Sequence, residues 1–182
     1  MITSKIYLKQ SFFTFLFLTL IIGSCTKPKS KMAAYGPVFE KVMKSEFGVF
    51  RGLNLGDKLD SVRIKETSKP METDSGYLYY EMKLDTTGSF NITYNFDDEG
   101  LNEIETDIYI SNTNKADEVF AKFKSYFDAH YGESESRQGY NVWTVKSEKF
   151  GEVRISLSDE SSDFTLDKAP RKIALWIYPD KD

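Results

Sequence analysis

Residues 37–182 of this 182-residue chain are predicted to fold as one α+β domain, with helices packed on antiparallel β-meander sheet. Three observations carry that expectation. The stretch "FNITYNF" (90–96) alternates apolar and polar residues with a period of two, the pattern of a half-buried strand. The stretch "KADEVFAKFKSYFDAHY" (115–131) puts Ala116, Val119, Phe120, Phe123, Phe127 and Tyr131 on one helical stripe. The strand-like segments come in runs joined by short polar turns, which implies hairpins rather than helical crossovers.

Taken in order, Pro37 suits a first helical turn, and Val38, Phe39, Val42, Met43 and Phe47 recur at helical spacing, so a short helix is expected over 37–46. Gly52 and Gly56 break the chain. Asp57 is the expected cap of a second short helix reaching about Lys65. Residues 67–76 read as loop. Strands are expected at 77–84, 90–96 and 101–110, the last two joined by a hairpin at "DDEG" (97–100). The long helix follows, with Asn114 and Asp117 as its expected capping pair and Gly132 as its stop. Strands at 140–146, 152–158 and 173–178 close the chain, with a polar loop over 159–171. The order is α-α-β-β-β-α-β-β-β, helix then three strands twice over, which suggests a pseudo-duplication. The strands belong to two packed sheets or to one continuous sheet.

Ahead of the domain stands "FFTFLFLTLIIGSC" (12–25). Its apolar run, Phe12 to Ile22, is about half the roughly 20 residues that a membrane-crossing helix needs. Lys5 and Lys9 precede it and small residues follow it, the three-part layout of an export signal. "IIGSC" resembles the lipobox of bacterial lipoprotein signals. That resemblance implies thioether lipidation at Cys25, cleavage between Ser24 and Cys25, and acylation of the new amino group. Residues 1–24 are then a signal peptide. Cys25 is the only cysteine, and lipidation accounts for an otherwise unpaired thiol in an exported protein. Residues 25–36, "CTKPKSKMAAYG", read as a lipidated tether. Its lysines Lys27, Lys29 and Lys31 differ from the acidic residues that mark surface-exposed lipoproteins in some Gram-negative groups. By that likeness the domain faces the periplasm, anchored in the cell envelope.

Processing at Cys25 leaves 158 residues, enough for one domain with its own core. They carry 22 Lys and Arg against 28 Asp and Glu. A net charge of −6 argues against nucleic acid, and against broad membrane contact beyond the tether.

The glycine-led helix start "GLNLGDKLDSV" (52–62) and the helix end "HYG" (130–132), each preceding strands, resemble the small lipoprotein of the outer-membrane barrel-assembly machine and the β-lactamase inhibitory protein fold. The resemblance implies a protein-binding module without catalysis. A proline expected soon after that second glycine is replaced here by Glu133 and Ser134.

Motifs for chemistry are sparse. His130 is the only histidine and falls in the last turn of a helix, where the dipole favours a cation. Asn95, Asp97, Glu99 and Gly100 match half of a calcium loop, but the twelfth position, which should supply a bidentate Glu, is Thr106. No glycine-rich phosphate loop is present, and no cofactor or metal is expected. The loop 159–171 is long for a hairpin connection. Asp159, Glu160, Asp163 and Asp167, with Phe164 as an anchor, are the candidate contacts to a basic protein partner. The expected function is a lipid-anchored envelope protein with a non-catalytic protein-binding or scaffold domain. The alternatives are a hydrolase that uses surface carboxylates and an inhibitor or immunity-type protein.

Overall fold

A computed structural model describes residues 31–86, 88–161 and 170–180. Its elements are α1 (Pro37–Met43), α2 (Leu59–Glu66), β1 (Glu72–Thr73), β2 (Tyr77–Leu84), β3 (Gly88–Asp97), β4 (Gly100–Ile110), α3 (Thr113–Tyr131), β5 (Glu135–Arg137), β6 (Tyr140–Ser147), β7 (Gly151–Asp159) and β8 (Arg171–Pro179). A 3₁₀ turn, Lys31–Tyr35, precedes α1. The mixed α+β class is as expected. The strand count is not: β1 and β5 add a fourth strand to each run, β1 in a segment read from the sequence as loop and β5 in one to which no element was assigned.

All the described strands join one antiparallel sheet in the order β1-β2-β3-β4-β8-β7-β6-β5. Two meanders thus meet where β4 pairs with β8, Ile104 opposite Ile177 and Ile108 opposite Ile173. Alternation assigns the faces. Leu78, Tyr80 and Leu84, then Phe90, Ile92 and Tyr94, are buried on one face. The same face continues through Ile104 and Ile108 to Ile173, Leu175 and Ile177, then to Val153, Ile155 and Leu157. The helices cover this face. On α3, Ala116, Val119, Phe123, Tyr126 and Phe127 are buried, with Phe120 and Tyr131 partly so. Phe127 meets Trp143 of β6 at 5.2 Å between ring centres. Phe39 brings α1 onto α3, 4.8 Å from Phe123 and 4.7 Å from Tyr126.

Residues 31–36, inside the segment expected to be tether, already pack on the domain. Met32 is buried, and Tyr35 packs edge-on against Tyr126 at 5.2 Å. Helix α1 stops at Met43, three residues early, because Lys44 turns left-handed at φ 60°. Asp57 does not cap α2. Lys58 occupies the cap position, and Asp57 Oδ2 instead accepts the Asn54 N–H at 3.2 Å. On α3 the cap is Asn112 rather than Asn114, its Oδ1 accepting the Lys115 N–H at 2.9 Å. The pairing register of β3 with β4 shifts between Asn95 and Phe96, which leaves Phe96 only partly buried.

A buried ion pair ties these parts together. Arg51 donates Nε to Glu66 Oε1 at 2.6 Å and Nη2 to Oε2 at 2.7 Å, a two-pronged geometry. Its Nη1 donates to the carbonyls of Val42 (2.6 Å) and Lys41 (2.9 Å) at the end of α1. Tyr94 of β3 also donates its hydroxyl to Glu66. One carboxylate therefore joins α1, the 44–53 loop, α2 and the sheet. Burial opposes both charges, but the pairing outweighs it: the Glu66 carboxyl is held below its ordinary value and Arg51 above its own. Tyr94 is pushed well above the ordinary phenol value, by burial and then by the Glu66 charge.

Candidate functional site: the uncovered sheet face

Strand alternation that sends Ile173, Leu175 and Ile177 to the helices sends Lys172, Ala174, Trp176 and Tyr178 to the other face. No described helix covers that face. Ser156 and Arg154 of β7 stand opposite Trp176 and Tyr178, and Val142 of β6 stands opposite Ser156. Short side chains at Ser156, Ser158 and Ala174 thus form the floor between larger neighbours. Ser156 and Ser158 are each only 4 % exposed although they belong to the uncovered face. Tyr140, Val142, Trp176 and Tyr178 rise around them.

Two adjoining cavities result. One of about 610 Å³ is lined by Arg137, Tyr140, Val142, Arg154, Trp176 and Tyr178, with Ser156 at its floor. The other, about 200 Å³, shares Tyr140, Ser156 and Trp176 and runs on to Glu105, Asp107 and Lys172. Trp176 stands at their junction, 41 % exposed. Its ring is tilted against Tyr178 at 5.1 Å, and its Nε1 donates to Glu103 Oε1 at 2.7 Å. Ser156 Oγ and the Tyr178 hydroxyl share a 3.3 Å hydrogen bond.

The groove has a charged border. Glu103, Glu105 and Asp107 occupy alternate positions of β4, so all three point from the same face. The Glu105 carboxyl is raised, by burial first and then by repulsion from Glu103 and Asp107. Lys172 reaches Asp107 at 3.1 Å and Glu160 at 2.9 Å. Burial would lower its ammonium, yet these two hydrogen bonds outweigh burial and raise it. The two carboxylates thus favour the ammonium form of Lys172. Arg154 pairs with Asp180 at 2.6 Å. The face thus offers an aromatic shelf, hydroxyls at the floor and a row of carboxylates, groups that can contact an extended chain bearing cations.

Among the described residues, no group of three or more His, Cys, Asp or Glu side chains is arranged to hold a metal ion. Asp97, the centre of the half-matched calcium loop, accepts the Glu99 N–H at 2.8 Å and the Asn102 amide at 3.2 Å, as a hairpin turn requires. His130 contacts the Tyr126 carbonyl through Nδ1 at 2.8 Å and stacks on the Tyr126 ring at 3.9 Å.

Ser24, Cys25, Asp163, Phe164 and Asp167 lie outside the described residues. Asp159 and Glu160 lie at the end of β7 and are engaged within the chain. Asp159 pairs with Arg171, which also reaches Asp117 of α3 at 3.3 Å. Glu160 holds Lys172 and accepts the Ser158 hydroxyl at 3.2 Å. Reading along the chain for motifs missed Tyr140, Ser156, Trp176 and Tyr178. Their signal was a tryptophan on the polar phase of an alternating strand, "KIALWIY". Comparison with family models, curated proteins and solved structures finds no match to the chain. No helix among the described residues is long and apolar enough to cross a membrane.

Proposed function

We propose that the chain is a lipid-anchored protein of the bacterial cell envelope, held at Cys25 and periplasm-facing, whose domain binds a protein partner without catalysis. The uncovered sheet face carries this reading, through the groove around Trp176 with its aromatic shelf and acidic border. An extended, basic segment of a partner complements it: cationic side chains beside Glu103 and Glu105 and over the Trp176 ring, apolar ones against Val142 and Tyr140. The strand order supports a finer reading. The two helix-and-meander halves meet strand to strand at β4 and β8 and run outward in inverse order, as a duplicated unit would. That reading fits the likeness to the two-copy inhibitory-protein fold.

The test compares the protein with its Trp176→Ala and Glu105→Lys variants, each purified from gently solubilised membranes. One partner at near-stoichiometric amounts, lost from both variants while their circular dichroism is unchanged, is the expected result. A solitary wild-type protein, or a partner retained by both variants, would overturn the assignment of this face.

A further inference from the structure

The net negative charge of the chain conceals a strong segregation. Residues 31–71 carry eight Lys and Arg against five Asp and Glu, whereas residues 72–182 carry twelve against twenty-three. Of the eight cations, all but Arg51 are exposed: Lys31, Lys41, Lys44, Lys58, Arg63, Lys65 and Lys69. Of the five acids, Glu66 is buried against Arg51, while Glu46 and Asp60 are exposed and Glu40 and Asp57 partly so, Asp60 lying 3.6 Å from Arg63 and Asp57 3.4 Å from Lys65; the surface keeps an excess of positive charge. The same stretch carries three of the four large apolar side chains that stand exposed among the described residues: Phe47 at 80 %, Ile64 at 76 % and Met71 at 66 %. The fourth is Trp176, in the groove described above.

These side chains sit on a braced surface. Lys44 reaches across from the 44–47 segment to the carbonyls of Lys65 and, at 3.1 Å, Glu66. From the other side of α2, Arg63 donates to Thr73 Oγ1 of β1 at 3.0 Å. The Met71 N–H donates to the Tyr79 carbonyl at 2.8 Å. On α2 itself only Val62 and Glu66 are buried, so Ile64, between Arg63 and Lys65, faces away from the core.

We infer that this surface, made of the 41–47 segment, α2 and residues 69–71, docks the domain on an anionic membrane. Exposed bulky apolar side chains ringed by lysines fit an interface where acyl chains begin beneath phosphate headgroups. Each cation near such a surface strengthens attachment by about five-fold. A nonspecific anion or nucleic acid would use the cations but leave Phe47, Ile64 and Met71 unexplained. An apolar protein partner would leave the charge segregation unexplained. Helix α2 belongs to the helix-bearing side of the sheet. Docking through it turns the uncovered face, and Trp176, toward the aqueous compartment.

The full chain, reconstituted in vesicles, tests this whatever holds it to the bilayer. Single cysteines are introduced as Ile64→Cys and Met71→Cys, with Thr144→Cys on the uncovered face as control, and each is labelled with a small fluorophore. The parent chain, carrying Cys25 alone, supplies the blank. Phosphatidylcholine vesicles are compared with phosphatidylcholine–phosphatidylglycerol vesicles, both with a nitroxide quencher on the acyl chains. Quenching at 64 and 71 in the anionic vesicles only, absent at 144 and lost in Lys65→Glu/Lys69→Glu, is the expected result. Labels that stay aqueous in anionic vesicles, or quench equally in neutral ones, would overturn the inference. So would shielding of the labels by a co-purifying protein without lipid.

Discussion

Replacing Glu66 with alanine strips four hydrogen bonds from one buried point: two from Arg51, one from Tyr94 and a longer one from Lys44 at 3.4 Å. The Arg51 side chain is 4 % exposed and cannot turn to water. Its charge stays buried with no counter-charge, its remaining partners being the carbonyls of Lys41 and Val42, the Met82 sulfur at 3.7 Å and the Phe90 ring, and the Tyr94 hydroxyl is orphaned. Breaking a buried pair from one side costs about 3–5 kcal/mol, a large share of the stability of a domain this size. Urea denaturation followed by circular dichroism measures it. Removing both charges in Arg51→Met/Glu66→Leu should recover much of the loss, because no ion is then left unpaired. A Glu66→Ala cost under about 1 kcal/mol would refute the reasoning, since that is what an exposed pair contributes. The pair also sets a pH window. The Glu66 carboxyl is lowered in the fold, so the unfolded chain takes up the proton first. Its contribution is complete above the ordinary carboxyl value of 4.5 and drains away as pH falls through the lowered value. Tyr94 is raised, so its contribution is complete below the ordinary phenol value of 10.0 and declines as pH rises toward the raised one. The double variant should be flatter at the acid end, while the alkaline decline persists because burial is the first cause of the raised Tyr94 value.

Gly100→Ala should destabilise by at least about 2 kcal/mol. Gly100 has φ +119°, and a Cβ there would lie 2.7 Å from the Gly56 carbonyl oxygen; amide exchange at Leu101, whose N–H donates to Asp57, should quicken in step. Asn112→Ala removes the acceptor at the start of α3 and should cost about 1 kcal/mol in the same denaturation assay, while Asn114→Ala stays near neutral. Cys25→Ser should accumulate as the unprocessed precursor, while mass spectrometry of the wild-type protein should find lipid on Cys25; a mature, membrane-bound Cys25→Ser protein would contradict the anchor.

What the sequence made legible were the elements with a strong period. The alternation of β3 and the stripe of α3 needed no partner to be read, and each strand from 77–84 onward that had six or more residues was found near its observed place. Strands β1 and β5, two and three residues long, have no period to display. The pairing of Arg51 with Glu66 spans fifteen residues and leaves no local trace. Alternation assigned the two faces of β8 but not its neighbour, so the seam with β4 was invisible, and with it the groove that depends on Trp176 lying beside Glu105. The caps failed for a simpler reason. Asn112 and Asn114 are equally good chemically, and only the backbone approach to α3, φ −103° and ψ 121° at Asn112, decides between them.

The sheet's two ends have a bearing on how many copies can sit side by side. An eight-stranded antiparallel sheet left open at both margins is a template for adding strands from another molecule. Here the outermost strands are the shortest of all, Glu72–Thr73 and Glu135–Arg137. Each offers a neighbour only a residue or two of unpaired backbone, and every one of their side chains is exposed and polar. Over their own length such ends hinder strand addition from a neighbouring copy, while residues 80–84 of β2 and 143–147 of β6 run on past them.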